Sequence, residues 1–516
     1  MHDANPQLQD YVTLSAERSP DKIALVCGER QLRYRDVETA SNALARCFIE
    51  RGVKRGDRVM TFCENSTEAV LSFWAALKAS AVAVPVNPLT RADKLAYLIA
   101  DCRPTPLVAD AALEPTWAGL AASPHVSSIL VVGATVPAPP ATSKISHFDE
   151  AWKQHLGRPA PIKRNLDIDL AAIVYTSGST GEPKGVMLIH RNMLIVAMSI
   201  ASYLELAEDE VILNVLPLAF DYGLYQMIMS FRQGARLVLE RSFAFPAAVL
   251  QSVSRERVTC FPGVPTMFAM LAEMKGLAEH DLSSVRLVTN TAAALHGKHI
   301  DFIRRAFPGA RVYSMYGLTE CKRCTYLPPK DLDRKAGSVG VAIPNTEVWI
   351  VDEAGTRAPP GTVGQLVVRG ATVMKGYWEK PEATAKKLRP GLLPGEQVLW
   401  TGDYCKMDED GYVYFVGRMD DVIKSRGEKV APKEVENALV SLPGIREAAV
   451  IGVPDEILGQ AVKAFVVLAA DKHLTIKEIQ AYCQSKLESF MVPKIIEIVA
   501  DLPKTDTGKV KKTGLS

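Results

Sequence analysis

One segment constrains the fold of this chain more than any other, the run Tyr175-Thr-Ser-Gly-Ser-Thr-Gly-Glu-Pro-Lys184-Gly185. It follows the apolar residues 170–174, which predict a short buried strand. A loop this rich in glycine and hydroxyl side chains can fold its backbone N–H groups around phosphate oxygens, and Lys184 adds a positive charge. It is not a Walker A loop. That motif needs glycine at the position of Pro183, and it needs Ser or Thr at the position of Gly185. The sequence therefore predicts a phosphate-binding loop at the end of a strand.

The length and the alternation of apolar segments predict a layered α/β protein of more than one domain. A chain of 516 residues exceeds the roughly 250–300 residues at which single hydrophobic cores stop growing. Before residue 346, segments of strand length alternate with amphipathic helical segments, which predicts largely parallel sheets covered by helices. The clearest predicted helices cover residues 37–50 and 68–79, and the clearest predicted strands cover residues 58–62 and 81–86.

The pattern changes from Thr346 onward, where short strands separated by turns indicate an antiparallel β subdomain that closes the large domain. These strands are predicted at residues 348–351, 365–368 and 412–416. Beyond Arg418 we expect a smaller α+β unit, whose first helix begins near Pro432 and precedes a strand at residues 447–453. The Pro/Ala-rich residues 136–142 predict a surface loop within the large domain.

The composition excludes several classes of protein. A hydrophobic content of 48% with 23% charged residues excludes wholesale disorder, and a net charge of +2 gives no electrostatic case for nucleic acid. The most apolar stretch, residues 69–86, contains Lys78 and falls short of the ~20 apolar residues of a membrane span. The N-terminus lacks the pattern of a signal peptide. Nine cysteines without framework spacing, including the lone pair Cys321 and Cys324, predict reduced thiols and a cytoplasmic protein.

Further motifs follow the loop in a fixed order: Tyr316-Gly-Leu-Thr-Glu320, Trp400-Thr-Gly-Asp403, Gly417-Arg-Met-Asp-Asp421, Lys424-Ser-Arg-Gly-Glu-Lys429 and Pro503-Lys-Thr-Asp-Thr-Gly-Lys509. Together they resemble the adenylate-forming superfamily, which includes the acyl-CoA synthetases, the amino-acid adenylation domains and firefly luciferase. The resemblance covers nearly the whole chain. It implies a large N-terminal domain at residues 1–419, a hinge near Asp420, and a small mobile C-terminal domain at residues 420–516.

The resemblance implies a nucleotide site built from several of these motifs. The phosphate loop would hold the β- and γ-phosphates through Thr176, Ser177, Gly178, Ser179, Thr180, Gly181 and Lys184. Tyr316 resembles the residue that stacks on adenine, Asp403 the carboxylate that accepts both ribose hydroxyls, and Arg418 the arginine that also reaches the ribose. The remaining implied ATP or AMP contacts are Thr291, Ala292, Ala293, Gly317 and Lys429.

The implied chemistry brings two anions together, since a carboxylate attacks the α-phosphate of ATP. Catalysis is then mostly charge neutralisation and in-line positioning. Thr319 resembles the residue that contacts the α-phosphate, Glu320 the Mg²⁺ ligand, and Lys509 the catalytic lysine that bridges carboxylate and phosphate. An alternative is that Thr319 and Glu320 only cap a helix. After rotation at Asp420, Gly427 would leave room for a pantetheine arm.

Two segments depart from the common family pattern and bear on the acid. Residues 290–295, Asn-Thr-Ala-Ala-Ala-Leu, add side chains where many members have glycine, which predicts a narrower acid pocket. Phe220-Asp-Tyr-Gly223 resembles amino-acid adenylation domains, whose aspartate pairs with the substrate ammonium. If Asp221 is buried, its carboxylate needs a cationic partner, which is either a substrate amine or Arg323. The sequence does not decide between these two partners. The predicted pocket residues are Phe220, Asp221, Tyr222, Tyr225, Met315 and Arg323.

The sequence thus predicts an ATP-dependent, AMP-forming acid–thiol ligase that uses Mg²⁺. Coenzyme A is the preferred thiol, because residues 263–266 and 427–436 resemble acyl-CoA synthetases. The alternative is a stand-alone enzyme that loads an amino acid onto the phosphopantetheine of a separate carrier protein. A catalytically silent nucleotide-binding protein is disfavoured, because Lys184, Glu320 and Lys509 are all present. The identity of the acid does not follow from the sequence.

Overall fold

The computed structural model describes residues 7–133, 144–176, 182–291, 295, 297–419, 421, 423–425, 428–455, 458–470, 472–504, 510–512 and 514–515. For residues 424, 428, 429 and 459 it describes the backbone alone. The predicted loop at residues 136–142 lies outside this part of the chain.

Within the described residues the helices are α1 (Asp10–Arg18), α2 (Tyr34–Glu50), α3 (Thr67–Lys78), α4 (Ala92–Cys102), α5 (Glu114–Trp117), α6 (Phe148–Lys153), α7 (His190–Leu204), α8 (Asp221–Gln233), α9 (Pro246–Glu256), α10 (Pro265–Glu273), α11 (Gly297–Ala306), α12 (Pro381–Lys387), α13 (Pro432–Ser441) and α14 (Ile476–Lys486). Short 3₁₀ turns cover Ala111–Leu113, Ala118–Leu120, Leu277–Glu279 and Pro329–Asp331.

The strands of the first half are β1 (Ile23–Cys27), β2 (Arg30–Arg33), β3 (Arg58–Phe62), β4 (Val82–Pro85), β5 (Pro106–Asp110), β6 (Ser128–Val132), β7 (Ile145–His147), β8 (Leu170–Thr176), β9 (Lys184–Ile189), β10 (Val211–Asn214), β11 (Arg236–Leu239), β12 (Cys260–Gly263) and β13 (Leu287–Asn290). Those that follow are β14 (Arg311–Tyr316), β15 (Thr325–Leu327), β16 (Val341–Ala342), β17 (Thr346–Val351), β18 (Val363–Gly370), β19 (Gly376–Tyr377), β20 (Leu388–Pro390), β21 (Gln397–Met407), β22 (Val413–Arg418), β23 (Ile423–Ser425), β24 (Glu428–Val430), β25 (Ile445–Asp455), β26 (Gly459–Leu468) and β27 (Ile495–Ile498).

Two large sheets form the N-terminal domain. The first has the order β16-β15-β14-β13-β12-β10-β11-β1-β2, and its strands from β14 to β1 run parallel. The second has the order β19-β9-β8-β4-β3-β5-β6-β7, with β8 to β7 parallel and β9 and β19 added antiparallel. Strands such as β10 and β12 are buried along their whole length, as expected for parallel strands covered on both faces. The predicted α/β layering is confirmed.

Helices between the two sheets join them through one hydrophobic core. Helices α2 and α8 pack on the first sheet and α3 and α7 on the second, and α2 also packs against α3. All residues of α3 are buried, and Ser66 caps it because its Oγ accepts a hydrogen bond from the Ala69 N–H at 3.1 Å. Lys78 tolerates burial there because its Nζ lies 2.6 Å from Oε2 of Glu38. In the described residues no helix is long and apolar enough to cross a membrane.

A buried histidine ties the N-terminal segment to this core. His190, the first residue of α7, is fully buried, and its Nδ1 accepts a hydrogen bond from the Leu8 N–H at 3.4 Å. Its Nε2 lies 2.9 Å from Nδ2 of Asn165. Burial lowers the pKa of His190 to about 4, so the folded protein holds this ring neutral near pH 7.

The remaining strands form two smaller sheets, as the change of pattern after Thr346 predicted. Strands β17-β18-β21-β20, with β22 against β21, make an antiparallel sheet that completes the large domain. In the C-terminal part, β24-β23-β26-β25 with β27 form another sheet, which α13 and α14 cover. This part has its own core, including Val435, Leu439 and Ile479. A large N-terminal and a small C-terminal domain are therefore observed.

Candidate active site

The phosphate-loop motif connects strands β8 and β9 of a β-hairpin. Strands β8 and β9 run antiparallel, and Thr176 pairs with Lys184 where they meet the loop. Gly185 follows at a crowded position, because a Cβ atom there would lie 2.7 Å from Cγ2 of Ile173. The predicted strand is present and continues two residues beyond its predicted end, to Thr176, whereas Ser177, Gly178, Ser179, Thr180 and Gly181 lie outside the described residues.

Tyr377 joins the phosphate-loop lysine to the predicted magnesium ligand. Strand β19 pairs with β9, so that Tyr377 stands opposite Val186. Its phenol donates a hydrogen bond to Oε1 of Glu320 at 2.7 Å, and Nζ of Lys184 lies 5.8 Å from its ring centroid. Burial raises the pKa of Tyr377 far above its usual value, so the phenol remains a donor. Glu320 and Lys184, which are both predicted to act at the ATP phosphates, thus contact the same Tyr377 side chain.

Tyr316 and Arg418, the last residues of β14 and β22, meet Asp403 in the middle of β21. Asp403 in β21 pairs with Arg418 in β22, and Nε of Arg418 lies 3.4 Å from Oδ1 of Asp403. The Tyr316 phenol donates a hydrogen bond to Oδ2. Burial raises the pKa of Asp403, whereas the Arg418 charge and the Tyr316 hydrogen bond lower it. Oδ1 is buried without a hydrogen bond among the described residues, so it can accept one from a ribose hydroxyl.

A tight turn after β14 carries Thr319 and Glu320. It folds back so closely that a Cβ on Gly317 would lie 2.3 Å from the Lys322 carbonyl oxygen, which explains the glycine. Lys322 has φ of 62°, and the Sγ atoms of Cys321 and Cys324 are 3.0 Å apart. No helix begins between β14 and β15, a segment the structure describes throughout, so the helix-cap alternative for Thr319 and Glu320 is wrong.

The residues predicted for the acid pocket lie at the start of α8, in β14 and in this turn, and all are buried apart from the half-buried Phe220. Tyr222 exchanges a hydrogen bond with Oγ1 of Thr289 at 2.6 Å, and its ring lies 5.1 Å from the guanidinium carbon of Arg323. Arg323 donates from Nη1 to Oγ1 of Thr291 at 2.6 Å. Sδ of Met315 accepts a hydrogen bond from Tyr203. Thr291 therefore places a hydroxyl group against Arg323, and the narrower pocket stays a prediction.

The sequence allowed an ion pair between Asp221 and Arg323, and the structure does not contain it. Among the described residues Asp221 has no direct ion pair, and as the first residue of α8 it gains from the positive end of the helix dipole. Its charge acts on Lys322, a residue that is 1% exposed. Burial lowers the pKa of Lys322, and the Asp221 carboxylate opposes that shift.

Several predicted site residues cannot be related to this geometry. Ala292, Ala293, the hinge residue Asp420, Gly427 and the catalytic Lys509 lie outside the described residues. For Lys429 the backbone is described, and it pairs with Lys424 in the β23–β24 hairpin. An antiparallel bridge between Lys504 and Val510 brings together the two ends of the segment that carries Lys509.

Comparison with known proteins identifies the family. Residues 12–378 match the AMP-binding enzyme family, and residues 434–509 match the C-terminal domain of AMP-binding enzymes. The chain belongs to the AMP-binding enzyme family. The predicted membership of the adenylate-forming superfamily is confirmed.

Relatives of known activity match this family member along almost its whole length. A long-chain-fatty-acid–CoA ligase of Bacillus subtilis (strain 168) is 33% identical over 538 residues, covering 99% of this chain and 94% of the relative. A feruloyl-CoA synthase of an Amycolatopsis species is 34% identical over 514 residues, with 98% of each chain covered. The structure of an anthranilate CoA ligase in complex with anthranoyl-AMP superposes with a TM-score of 0.91 at 29% identity, covering 99% of this chain and 97% of that one. The predicted enzyme class, an AMP-forming acid–thiol ligase of the acyl-CoA synthetase type, is confirmed.

Two residues of this AMP-binding enzyme's site were missed by sequence reasoning. Tyr377 lies in a strand of two residues, and a strand so short gives no periodic pattern. Lys322 stands in a charged turn, where a lysine is usually solvated. The available signal was its position, two residues after the predicted metal ligand Glu320 and directly before Arg323.

Proposed function

We propose that this ligase activates a carboxylic acid that carries no ammonium group beside its reacting carboxylate, and that it transfers the acyl group to coenzyme A. The observation that carries the first part is the Lys322 ammonium, buried where its charge and that of Asp221 interact. A substrate ammonium at Asp221 would compete with this lysine and with the Arg323 guanidinium. Like charges repel strongly where water is excluded, so an amino acid is a poor occupant.

We further propose roles for the site residues. Lys184 and the adjoining loop hold the β- and γ-phosphates, Tyr316 contacts adenine, and Asp403 with Arg418 holds the ribose. Glu320 would hold Mg²⁺, which suits a carboxylate oxygen, because Oε2 makes no hydrogen bond within the described part of the chain. The bound ion would offset negative charge on the phosphates. Thr319 contacts the α-phosphate.

The second half-reaction requires another set of residues. Lys509 bridges carboxylate and phosphate in the first step, and rotation at Asp420 then exchanges it for the hairpin at residues 423–430. Gly427 borders the path of the thiol, and Lys429 lies near phosphate. This proposal places the domain boundary between residues 419 and 420. It is supported by the separate C-terminal core and by the start of the C-terminal domain match at residue 434.

Coenzyme A is favoured over a carrier protein because the reported relatives are CoA ligases. The cytoplasm stays the expected compartment, since the nine cysteines are unpaired and mostly buried. The competing proposal is an enzyme that loads an amino acid onto a carrier protein. It predicts that the enzyme prefers an amino acid over the matching acid without an amino group.

Matched acid pairs test this proposal. The full-length enzyme is given ATP, Mg²⁺ and coenzyme A with fatty, aryl or cinnamic acids, each paired with an analogue that carries an α-amino group. Thioester and AMP should form with the deaminated member of a pair and not with the amino acid. Asp221→Asn should lower the melting temperature without changing this choice. Efficient activation of an amino acid, with transfer to carrier-bound phosphopantetheine and not to coenzyme A, would refute the proposal.

A further inference from the structure

Three buried polar atoms beside the acid pocket have no hydrogen-bond partner among the described residues. They are Oη of Tyr225, Nζ of Lys322 and Nε of Arg323. Tyr225 is 1% exposed, Lys322 1% and Arg323 3%. Buried polar groups are nearly always paired in folded proteins, and each exception needs a cause such as a ligand or an ordered water. Three exceptions on two adjoining elements point to a bound group.

These atoms belong to one electrostatic cluster. Tyr225 lies one turn after Asp221 in α8, and both Asp221 and Arg323 act on its phenol. Asp221 and Arg323 also act on Lys322, as does Glu320. The charges that face Lys322 therefore come from α8 and from its own turn.

Among the described residues, no direct ion pair neutralises the two cations of the cluster, Lys322 and Arg323. The carboxylates of Asp221 and Glu320 act on Lys322 without forming a salt bridge to it, and Glu320 accepts a hydrogen bond from the Tyr377 phenol instead. A desolvated cation without a partner is costly, so an added negative charge would stabilise this arrangement.

The three unpartnered atoms also share one chemical character, because each can donate a hydrogen bond. A phenol donates one, an ammonium up to three, and a guanidinium Nε one. A carboxylate is an acceptor at every lone pair and matches such a set. A methyl group or an aromatic edge in the same place would leave all three donors unsatisfied.

We propose that the acid substrate is a dicarboxylic acid, whose second carboxylate is held by Lys322 together with Tyr225 and Arg323 while the first is adenylated. Lys322 then determines specificity, since it contacts the end of the acid that does not react. This inference rests on the proposed acid–CoA ligase and names its substrate class.

The experiment compares acids that differ only at the remote end. Straight-chain dicarboxylic acids of increasing length, and an aryl diacid, are each paired with the acid that has methyl in place of the second carboxylate. The wild type should convert diacids with the higher kcat/KM. In Lys322→Met, kcat/KM for diacids should fall roughly 10- to 100-fold, the usual effect of losing a hydrogen bond to a charged group, while the methyl acids change little. Lys322→Arg should recover part of the loss, and Lys330→Met, at an exposed lysine nearby, is the matched control.

Each other outcome overturns the inference in a recognisable way. An equal loss for diacids and methyl acids would assign Lys322 to the reacting carboxylate or phosphate. A lower melting temperature with an unchanged preference would make it structural. A wild type that prefers the methyl acids would exclude a diacid whether or not Lys322→Met folds, and leave the acid–CoA ligase intact. Absence of any acid-dependent AMP formation would instead refute the proposed function itself.

Discussion

The phenol of Tyr377 donates a hydrogen bond to Oε1 of Glu320 at 2.7 Å, and the same ring faces Nζ of Lys184. One side chain thereby orients the carboxylate proposed to hold Mg²⁺ and flanks the lysine proposed to hold phosphate. Because this hydrogen bond uses Oε1, the other oxygen, Oε2, would be available to a bound Mg²⁺. Hydrogen bonds from neighbouring residues commonly orient metal-binding side chains in this way.

Tyr377→Phe should weaken the use of Mg²⁺ without unfolding the enzyme. Loss of a partner that orients a metal ligand typically costs ~10–100-fold in metal affinity. We expect a higher Mg²⁺ concentration for half-maximal ATP–pyrophosphate exchange and weaker Mg²⁺-dependent ATP binding by calorimetry. Tyr412→Phe is the matched control, because Tyr412 donates to Oδ2 of Asp331 at 2.6 Å, outside the site. An unchanged Mg²⁺ requirement in Tyr377→Phe would refute the link.

Tyr316→Phe should shift the pH dependence of nucleotide binding. Burial raises the pKa of Asp403, and the Tyr316 hydrogen bond lowers it, so removing the phenol raises it further. The ionised carboxylate is the form that accepts two ribose hydroxyls. AMP affinity should therefore fall on acidification, and in the variant this fall should begin at a higher pH.

The measurement is the dissociation constant of AMP as a function of pH for wild type and variant. Tyr414→Phe serves as control, since Tyr414 donates to Asp408 and not to Asp403. Two profiles of the same shape, differing only by a constant factor, would mean that Tyr316 does not act through Asp403.

His190 should make the fold sensitive to moderately acidic pH. Its folded pKa of about 4 lies below its ordinary value of 6.5, so the unfolded chain binds a proton first as pH falls. The free energy of unfolding should drop between pH 6.5 and 4, by about 3 kcal/mol from this residue. Urea unfolding at a series of pH values should show a shallower dependence for His190→Gln than for wild type. His125→Gln, at an exposed histidine, should follow wild type, and parallel curves for His190→Gln would contradict the prediction.

Lys509→Ala should separate the two half-reactions. The resemblance gives this lysine a role only while carboxylate meets phosphate, and such a transition-state contact is worth roughly 10²–10³ in rate. Acid-dependent pyrophosphate exchange should collapse, whereas thioester formation from supplied acyl adenylate should stay near wild type. Lys511→Ala, at an exposed lysine two residues on, should leave both intact. Equal losses in the two assays would remove Lys509 from the adenylation step.

Much of the fold was predictable because buried parallel strands and helices are apolar over their whole length. The strand at residues 58–62 has the predicted bounds, and the helix predicted at residues 68–79 is the buried α3. This helix was predicted correctly although it contains Lys78. A buried helix tolerates one lysine when a carboxylate such as that of Glu38 pairs with it. Motif strings also predicted Asp403 and Arg418 for one ribose site, and the structure places these two residues against each other.

The site's remaining features depend on tertiary contacts that no local pattern reports. Tyr377 acquires its role only because β19 pairs with β9, a strand that lies nearly half of the large domain away in sequence. Arg323 was a possible partner for Asp221, yet it donates to Thr291 and stacks on Tyr222. Lys322 is buried because the turn folds back against Gly317. This backbone path cannot be predicted from the local sequence pattern.

The central claim is that the acid is activated as an acyl adenylate before the thiol reacts. The most direct measurement follows oxygen: the acid is labelled with ¹⁸O in its carboxylate, and the products with ATP and coenzyme A are analysed by mass spectrometry. Attack of the carboxylate on the α-phosphate leaves one labelled oxygen in AMP and none in pyrophosphate, and the thioester keeps the other. Label appearing in orthophosphate alongside ADP, or AMP released without label, would contradict the account.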